Sequence, residues 1–381
     1  MDIEKNKKIK VCFVSVFAYP LFNPEFKGAF GGGGAELQMS MISKEIAKDS
    51  SFDVDFLVLD WGQDKNEKRD GVRLHAVYRR GRDLKNLFLA PIRLFKTLIK
   101  IGPDVVVCRA AGVEVGISAI YARMFHKKMV YSLAATMDLN GQAWRGFRGK
   151  IFKLGLFLAD FLVAQSSDQQ NVLATIGWLR GKKNVLIKNS LAFGGLAPFN
   201  EKQTILWVGR CSQEKRPDLF LALTRSFPQE KFVMICPRNK PKLWDDISAQ
   251  AKKSHNLEFI ESVPFDQIGE YFRCAKVLVN TSDSEGFPNT FLQAAENGAV
   301  ILSLNSDPDG FLVSYRAGIF CRGDFSVMKS ELEALSADIS LRSFLAENAY
   351  GYLRENHDIV KNVKRWKDTI KELIGKNEKN N

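Results

Sequence analysis

Val277-Leu278-Val279-Asn280-Thr281-Ser282-Asp283-Ser284-Glu285-Gly286-Phe287-Pro288-Asn289-Thr290-Phe291-Leu292-Gln293-Ala294-Ala295-Glu296-Asn297-Gly298 reads as a strand, a loop and a helix in one run. The β-rich apolar run ends at Asn280, a polar loop presents a carboxylate, and Gly286 with Pro288 turns the chain into a helix. In a doubly wound sheet such a loop lies at the carboxyl end of a parallel strand, where ligands bind. Glu285 would sit there beside a helix N-terminus and accept hydrogen bonds from ligand hydroxyls. Gly286 and Phe287 would offer backbone N–H groups to an anion. The plainer alternative is that Glu285 only caps the helix.

The same unit recurs outward from this stretch. β-rich runs at 204–209, 231–236, 257–260, 276–280 and 299–303 alternate with helical patterns at 217–226, 241–253, 266–273 and 289–297. The first half repeats the theme, with strands at 9–17, 53–59, 104–108, 129–133 and 161–165 and helices at 35–48 and 115–125. Continuous apolar strands between helices imply parallel sheets covered on both faces. At 381 residues the chain accommodates two such domains. Gly194, Gly195, Pro198 and Asn200 break the pattern and place a linker near 190–202. A last amphipathic helix, from about 359 to 374, repeats Ile359, Val363, Trp366, Ile370 and Leu373 at steps of three and four. The expected division is 1–195, 200–355 and a closing helical segment at 356–375.

Composition excludes several classes. Six cysteines occur singly, which argues against zinc sites and disulfide frameworks and for buried free thiols in a reducing compartment. The four histidines are scattered, so no His-based metal centre is expected. Lys5, Lys7, Lys8 and Lys10 precede a short apolar run that imitates a signal peptide, yet Pro20 and Asn23 follow, and a buried first strand explains it better. No run reaches the roughly 18 apolar residues of a membrane span. Residues 1–200 hold 30 Lys+Arg and 18 Asp+Glu, whereas 201–381 hold 25 of each, so the entire +12 excess lies in the first half. A charge bias confined to one domain points to an anionic partner. Arg79–Lys100 and Trp144–Lys153, which carries Phe147 and Phe152, interleave apolar side chains with cations. Each segment fits an interfacial element against anionic lipid, or a helix on the first sheet with its basic face in water. Nucleic acid would attract the same charge, but no recognition module is visible.

Two further loops carry chemistry. Gly31-Gly32-Gly33-Gly34-Ala35-Glu36 opens a helix, so backbone can approach an anion at the helix N-terminus. It lacks the Lys-Ser/Thr of a P-loop and follows its strand too distantly for a dinucleotide fingerprint; a flexible loop explains it equally well. Ile205–Val208 ends in Gly209-Arg210, with Lys215 and a Pro217-initiated helix beyond. Arg and Lys beside a helix N-terminus suit a diphosphate, although a solvated basic loop has the same composition.

Taken together these motifs resemble the retaining GT-B glycosyltransferases of family 4, the glycosyl transferases group 1, over nearly the whole chain. The likeness rests on Gly33-Gly34-Ala35-Glu36, Pro103-Asp104-Val105-Val106-Val107, Ala159–Ser166, Gly209-Arg210…Lys215, Glu285-Gly286-Phe287-Pro288, Asn297-Gly298, Asp307-Pro308-Asp309-Gly310 and the closing helix. It implies an α/β GT-B fold: two Rossmann-like doubly wound parallel-sheet domains facing a cleft, with the C-terminal helix crossing back to the first. The second domain would hold a nucleoside-diphosphate sugar and the first a hydroxyl acceptor, as in bacterial surface polysaccharide or lipid-linked glycan synthesis. Glu285, Arg210 and Lys215 would be catalytic. Gly286, Phe287, Pro288, Asn289, Gln293, Gly33 and Gly34 would bind the donor, and Arg109 and Asp138 would lie on the acceptor side.

The sequence departs from the family twice. The family's Glu-x7-Glu ends in Gln293, which keeps hydrogen bonding to a ribose but loses charge assistance of the order of 1 kcal/mol. Glu296 lies one turn further on, displaced by about 60° around the helix. Ala134 stands where many members carry a histidine, and Asp138 with Arg109 is the candidate polar replacement. The implied protein needs no cofactor or metal beyond its nucleotide-sugar substrate. It is cytoplasmic, peripheral on the inner face of the cell membrane, with an anionic membrane surface and a lipid-linked or glycan acceptor as partners, and no nucleic acid. The alternative from another class is a catalytically silent GT-B-like binding subunit, motivated by Gln293 and Ala134. A nicotinamide dehydrogenase is disfavoured, since neither half has Gly-x-Gly-x-x-Gly directly after a strand.

Overall fold

The computed structural model describes residues 8–23, 25–26, 33–64, 66–79, 84–193, 202–265 and 267–375, without the side chains of 66 and 84–88. Two compact units result, Met1–Ser190 with Ile359–Asn381, and Leu191–Asp358. Most of the expected 190–202 linker lies outside the described residues.

In chain order the first unit contains β1 (Ile9–Val14), α1 (Gly34–Ala47), β2 (Phe52–Val58), β3 (Asn66–Arg69), β4 (Val72–Ala76), α2 (Leu84–Ile101) and β5 (Val105–Arg109). It continues with α3 (Val113–Met124), β6 (Lys128–Ser132), α4 (Gly146–Leu158), β7 (Phe161–Ala164), α5 (Ser167–Thr175) and β8 (Asn184–Leu186). The second unit contains β9 (Thr204–Val208), α6 (Pro217–Ser226), β10 (Lys231–Ile235), α7 (Pro241–Ala251), β11 (Leu257–Ile260), α8 (Ile268–Cys274) and β12 (Ala275–Asn280). After these come α9 (Asn289–Glu296), β13 (Val300–Ser303), α10 (Phe311–Ser314), β14 (Gly318–Phe320), α11 (Phe325–Ala337) and α12 (Ile339–Asn356). The closing helix α13 (Ile359–Gly375) belongs to the first unit.

The first sheet runs β3-β4-β2-β1-β5-β6-β7-β8 and the second β11-β10-β9-β12-β13-β14. Every pairing is parallel except β3 with β4. That hairpin departs from the expected all-parallel sheet. Its turn is Asp70-Gly71, both at positive φ (49° and 82°), the backbone of a tight primed hairpin turn. In both sheets the chain winds outward from a central pair, β1/β5 and β9/β12, in opposite directions. Those pairs are the topological switch points, beyond whose carboxyl ends doubly wound folds bind ligands.

Alternate residues of each strand feed opposite faces. In the first unit Val105 and Val107 pack with Ile42 of α1 and with Val363, Trp366 and Ile370 of α13. Val106 and Cys108 pack on the other side with Leu94 and Leu98 of α2, Ala119 of α3 and Phe152 of α4. The second unit buries Ile205, Trp207, Val277 and Val279 with Phe220, Ile247, Met328 and Leu332. All six cysteines are free and all but Cys274 are buried.

Trp366 is among the largest fully buried side chains and fixes α13 to the first sheet. Trp366→Ala is expected to cost the first unit about 3–5 kcal/mol, measured by urea unfolding. A change below about 1 kcal/mol would mean that α13 is not part of that core.

Candidate functional site

The site of the second unit forms at its switch point. β9 and β12 are neighbours in parallel register, so the loops leaving their carboxyl ends emerge side by side. After β9 the chain passes Gly209, Arg210 and a 3-10 turn at Gln213–Lys215, then Arg216 in the left-handed region (φ 46°, ψ 54°) before Pro217 starts α6. After β12 the loop 281–288 leads into α9, whose N-cap Pro288 supplies no side-chain bond.

Thr281 joins the two loops. Its Oγ1 accepts from Trp207 Nε1 at 2.9 Å and donates toward the Lys215 carbonyl (2.8 Å), with the Arg216 carbonyl at 3.0 Å. The Asp283 N–H donates to the Glu214 carbonyl at 2.8 Å. Thr281 is not among the residues that the sequence singles out. Its only signal there is a hydroxyl residue directly after a strand, facing a tryptophan one strand away.

This frame brings Lys215 to Glu285 across 70 residues of sequence. Lys215 Nζ donates to Glu285 Oε1, which also accepts from Ser282 Oγ (2.7 Å) and Asn280 Nδ2 (3.4 Å). Both side chains are mostly covered, at 20% and 13% exposure. Glu285 therefore does not cap α9; its carboxylate is held toward the β9 loop. A mostly covered ion pair is paid for in desolvation, which argues for a role other than stability. Arg210 is exposed and forms no ion pair among the described residues. One cation, Lys215, thus stands at the carboxylate, Arg210 lies on the same β9 loop, and α6 and α9 start from the two loops, a setting for a ligand that carries both hydroxyls and phosphate.

Among the remaining expected donor residues, Gly286, Pro288 and Asn289 line the turn, while Phe287 is buried, 4.4 Å from the His357 ring and against Phe311. Only the Phe287 backbone can face a ligand. Gln293 is half-buried in the second turn of α9, while Glu285 lies in the loop before that helix. Its amide makes no hydrogen bond among the described residues, while its carbonyl accepts from Asn297 Nδ2 at 2.8 Å.

In the first unit, Gly33 is the N-cap and Gly34 the first residue of α1, without a side-chain cap; Gly31 and Gly32 lie outside the described residues. Arg109 ends β5, the switch-point neighbour of β1. It is 6% exposed, and its Nη2 donates to Gln165 Oε1 (2.6 Å) and Asn189 Oδ1 (2.9 Å), while Nε lacks a partner among the described residues. Burial pulls this guanidinium down to about 10, against the opposing charges of Asp138 and Glu36. Asp138 is also buried. Its Oδ2 accepts from Tyr131 Oη (2.9 Å) and the Ala134 N–H (2.7 Å), so the carboxylate closes its own turn. Burial holds it above the usual carboxylate range, although those hydrogen bonds pull the other way. Among the described residues no group of three or more His, Cys, Asp or Glu could hold a metal.

Thr281→Val keeps the shape and removes the hydroxyl, leaving the Trp207 N–H unpaired in a fully buried place. The expected loss is about 2 kcal/mol by urea midpoint, with the slope unchanged. Unchanged stability would show that the hydroxyl does not join the loops.

Residues 192–324 match the family model described as Glycosyl transferases group 1. Over 254 residues the chain is 22% identical to the amylovoran biosynthesis glycosyltransferase AmsD of Erwinia amylovora, a match covering 59% of this chain and 66%, just under two thirds, of that protein. Its structure is similar to sucrose-phosphate synthase from Thermosynechococcus elongatus, with a TM-score of 0.78 at 13% identity over 97% of this chain and 100% of the other. It is also similar to trehalose-6-phosphate from E. coli bound with UDP-2-fluoro glucose, with a TM-score of 0.65 at 12% identity over 95% and 99%. The chain has the two-domain α/β fold of GT-B glycosyltransferase structures, and its second unit carries the match to the group 1 family.

Proposed function

We propose that the protein is a glycosyltransferase that moves a sugar from a nucleoside-diphosphate sugar to a hydroxyl acceptor with retention of anomeric configuration. The observation that carries this reading is the Glu285 carboxylate held by Lys215, Ser282 and Asn280 at the second unit's switch point. Glu285 takes donor-sugar hydroxyls, and Arg210 and Lys215 take the diphosphate. Backbone N–H groups at Gly286 and Phe287, and the α1 start at Gly33 and Gly34, add to its binding. Gln293 takes the ribose, and Arg109 serves the acceptor side, with the Asp138 carboxylate bracing the 134–138 turn there.

In the reaction the anomeric C–O bond to the diphosphate breaks while the acceptor oxygen bonds to the same carbon from the same face. The acceptor proton passes to the departing phosphate oxygen. Preorganised cations stabilise the negative charge developing on that oxygen, so the reading requires neither a metal nor a pair of hydrolase-type carboxylates. The reading places the reaction in bacterial surface polysaccharide or lipid-linked glycan synthesis, in the cytoplasm at the inner face of the membrane; the match to an amylovoran biosynthesis glycosyltransferase supports the biosynthetic part.

A thermal-shift screen with UDP-, GDP-, ADP- and TDP-sugars tests the reading. At a hundredfold excess over Kd, the matching donor is expected to raise Tm by roughly 5–10 °C. Glu285→Ala is expected to lower kcat/KM for that donor about 10²–10³-fold with the fold retained. If no nucleotide sugar raises Tm, the chain is instead a silent binding subunit.

A further inference from the structure

Helices α2, α3 and α4 cover one face of the first sheet, and each has an apolar stripe too many. Their inward stripes (Leu94 and Leu98, Ala119 and Ala122, Phe152 and Leu156) complete the core. A second stripe on each helix faces solvent: Ile92 and Ile99 on α2, Ile120 and Met124 on α3, Phe147 and Leu154 on α4. These recur at helical spacings of four and seven, so they are faces and not scattered exposed residues. Met124 is 62% exposed and Phe147 79%.

The stripes adjoin one another. Ile92, Phe95 and Ile99 of α2 meet Ile117 and Ile120 of α3 along an apolar groove of ≈ 450 Å³, with Lys96 the one cation on its wall. Helices α3 and α4 approach at their glycines: a Cβ at Gly155 would come within 2.8 Å of the Gly116 N. At the rim between the two helical layers, Arg123 of α3, Phe157 of α4 and Leu373 of α13 share a groove of ≈ 490 Å³ with Lys128, Lys182 and Lys183, against one acid, Asp160. Of the aromatic residues in the 144–153 segment, Trp144 and Phe152 turn inward; Trp144 donates to the Asp138 carbonyl at 3.0 Å. Phe147 remains outward.

Charge selects the occupant. Residues 84–101, 113–128 and 145–158 hold eleven Lys and Arg and one acid, Glu114, whose carboxylate accepts from Tyr78 Oη. Arg93, Lys96, Lys100, Lys150 and Lys153 form no ion pair among the described residues. The opposite layer, α1 and α13, mixes acids with bases and exposes one large apolar side chain among the described residues, Val360. A soluble protein partner would cover apolar stripes without needing so large an excess of positive charge, and nucleic acid would use the charge without the aliphatic stripes. An anionic bilayer uses both, with cations at the headgroups and apolar side chains at the acyl boundary. Among the described residues no helix is long and apolar enough to cross a membrane, so contact would be superficial.

We infer that the outer face of α2, α3 and α4 docks the first unit onto an anionic phospholipid surface. The docking deepens the proposed transferase reading, on which it rests only for its consequence: presenting the first unit to an acceptor carried in that surface.

Cosedimentation of the full chain with phosphatidylcholine vesicles, with and without one-third phosphatidylglycerol, tests the inference. The protein is expected to bind the anionic vesicles at least tenfold better, and to lose that binding at high salt. Arg93→Gln/Lys96→Gln/Lys100→Gln and, separately, Met124→Ser/Phe147→Ser are each expected to reduce it about tenfold or more. Circular dichroism should stay unchanged, because every substituted side chain is exposed. Wild-type protein left in the supernatant overturns the inference. So does binding that the charge variant loses and the apolar variant keeps, the behaviour of a general polyanion site. A self-association that Met124→Ser/Phe147→Ser abolishes, seen by sedimentation velocity without vesicle binding, would make the face a contact between copies and overturn it as well. The donor thermal shift is read separately, so loss of vesicle binding with the shift intact strikes the docking face alone.

Discussion

The pairing of Lys215 with Glu285 is the constraint on which the second unit's site depends. It exists because β9 and β12 are neighbours although 70 residues of sequence separate the paired side chains. A doubly wound sheet creates such a neighbourhood only at its switch point, where successive crossovers leave in opposite directions. Thr281 and Trp207 then fix the loops closely enough for the cation to meet the carboxylate. With both groups mostly covered, the pair satisfies each charge within the protein. In the proposed reading Lys215 passes to the donor's diphosphate and the carboxylate to its sugar hydroxyls, with Ser282 and Asn280 holding its position.

The alternation of strands and helices was legible because hydrophobic period and turn chemistry agree locally. α6 falls on 217–226 and β11 on 257–260, as their Pro, Gly and apolar patterns indicate. Short edge strands escaped, since β8 and β14 contribute three residues each and carry little periodicity. The β3/β4 hairpin had a readable signal in Asp70-Gly71, but its first strand, Asn66–Arg69, is wholly polar and offers no alternation. Within the site, Glu285, Lys215 and Arg210 could be named from loop chemistry alone. Their pairing could not, nor the part of Thr281, because both depend on strand order. Phe287 and Asp138 show the converse limit. Each is expected at the site from the sequence, yet burial commits the Phe287 ring to an aromatic cluster and the Asp138 carboxylate to its own turn.

The first unit divides its labour between an edge and a face. At the edge, Gly33, Gly34 and Arg109 flank the β1/β5 switch point; the buried guanidinium has neutral hydrogen-bond partners and an unpartnered Nε among the described residues. On the face, α2, α3 and α4 join basic charge to a surplus of exposed apolar side chains, whereas α1 and α13 mix acids with bases and expose one large apolar side chain among the described residues. The +12 net charge is therefore local information, carried by residues 1–200.

A crystal structure of the protein with its intact donor tests the central assignment most directly. The donor reading predicts sugar hydroxyls within about 3 Å of the Glu285 carboxylate, and diphosphate oxygens equally near Lys215 Nζ or the Arg210 guanidinium. A nucleotide bound elsewhere, with the Lys215–Glu285 pair undisturbed, would contradict it.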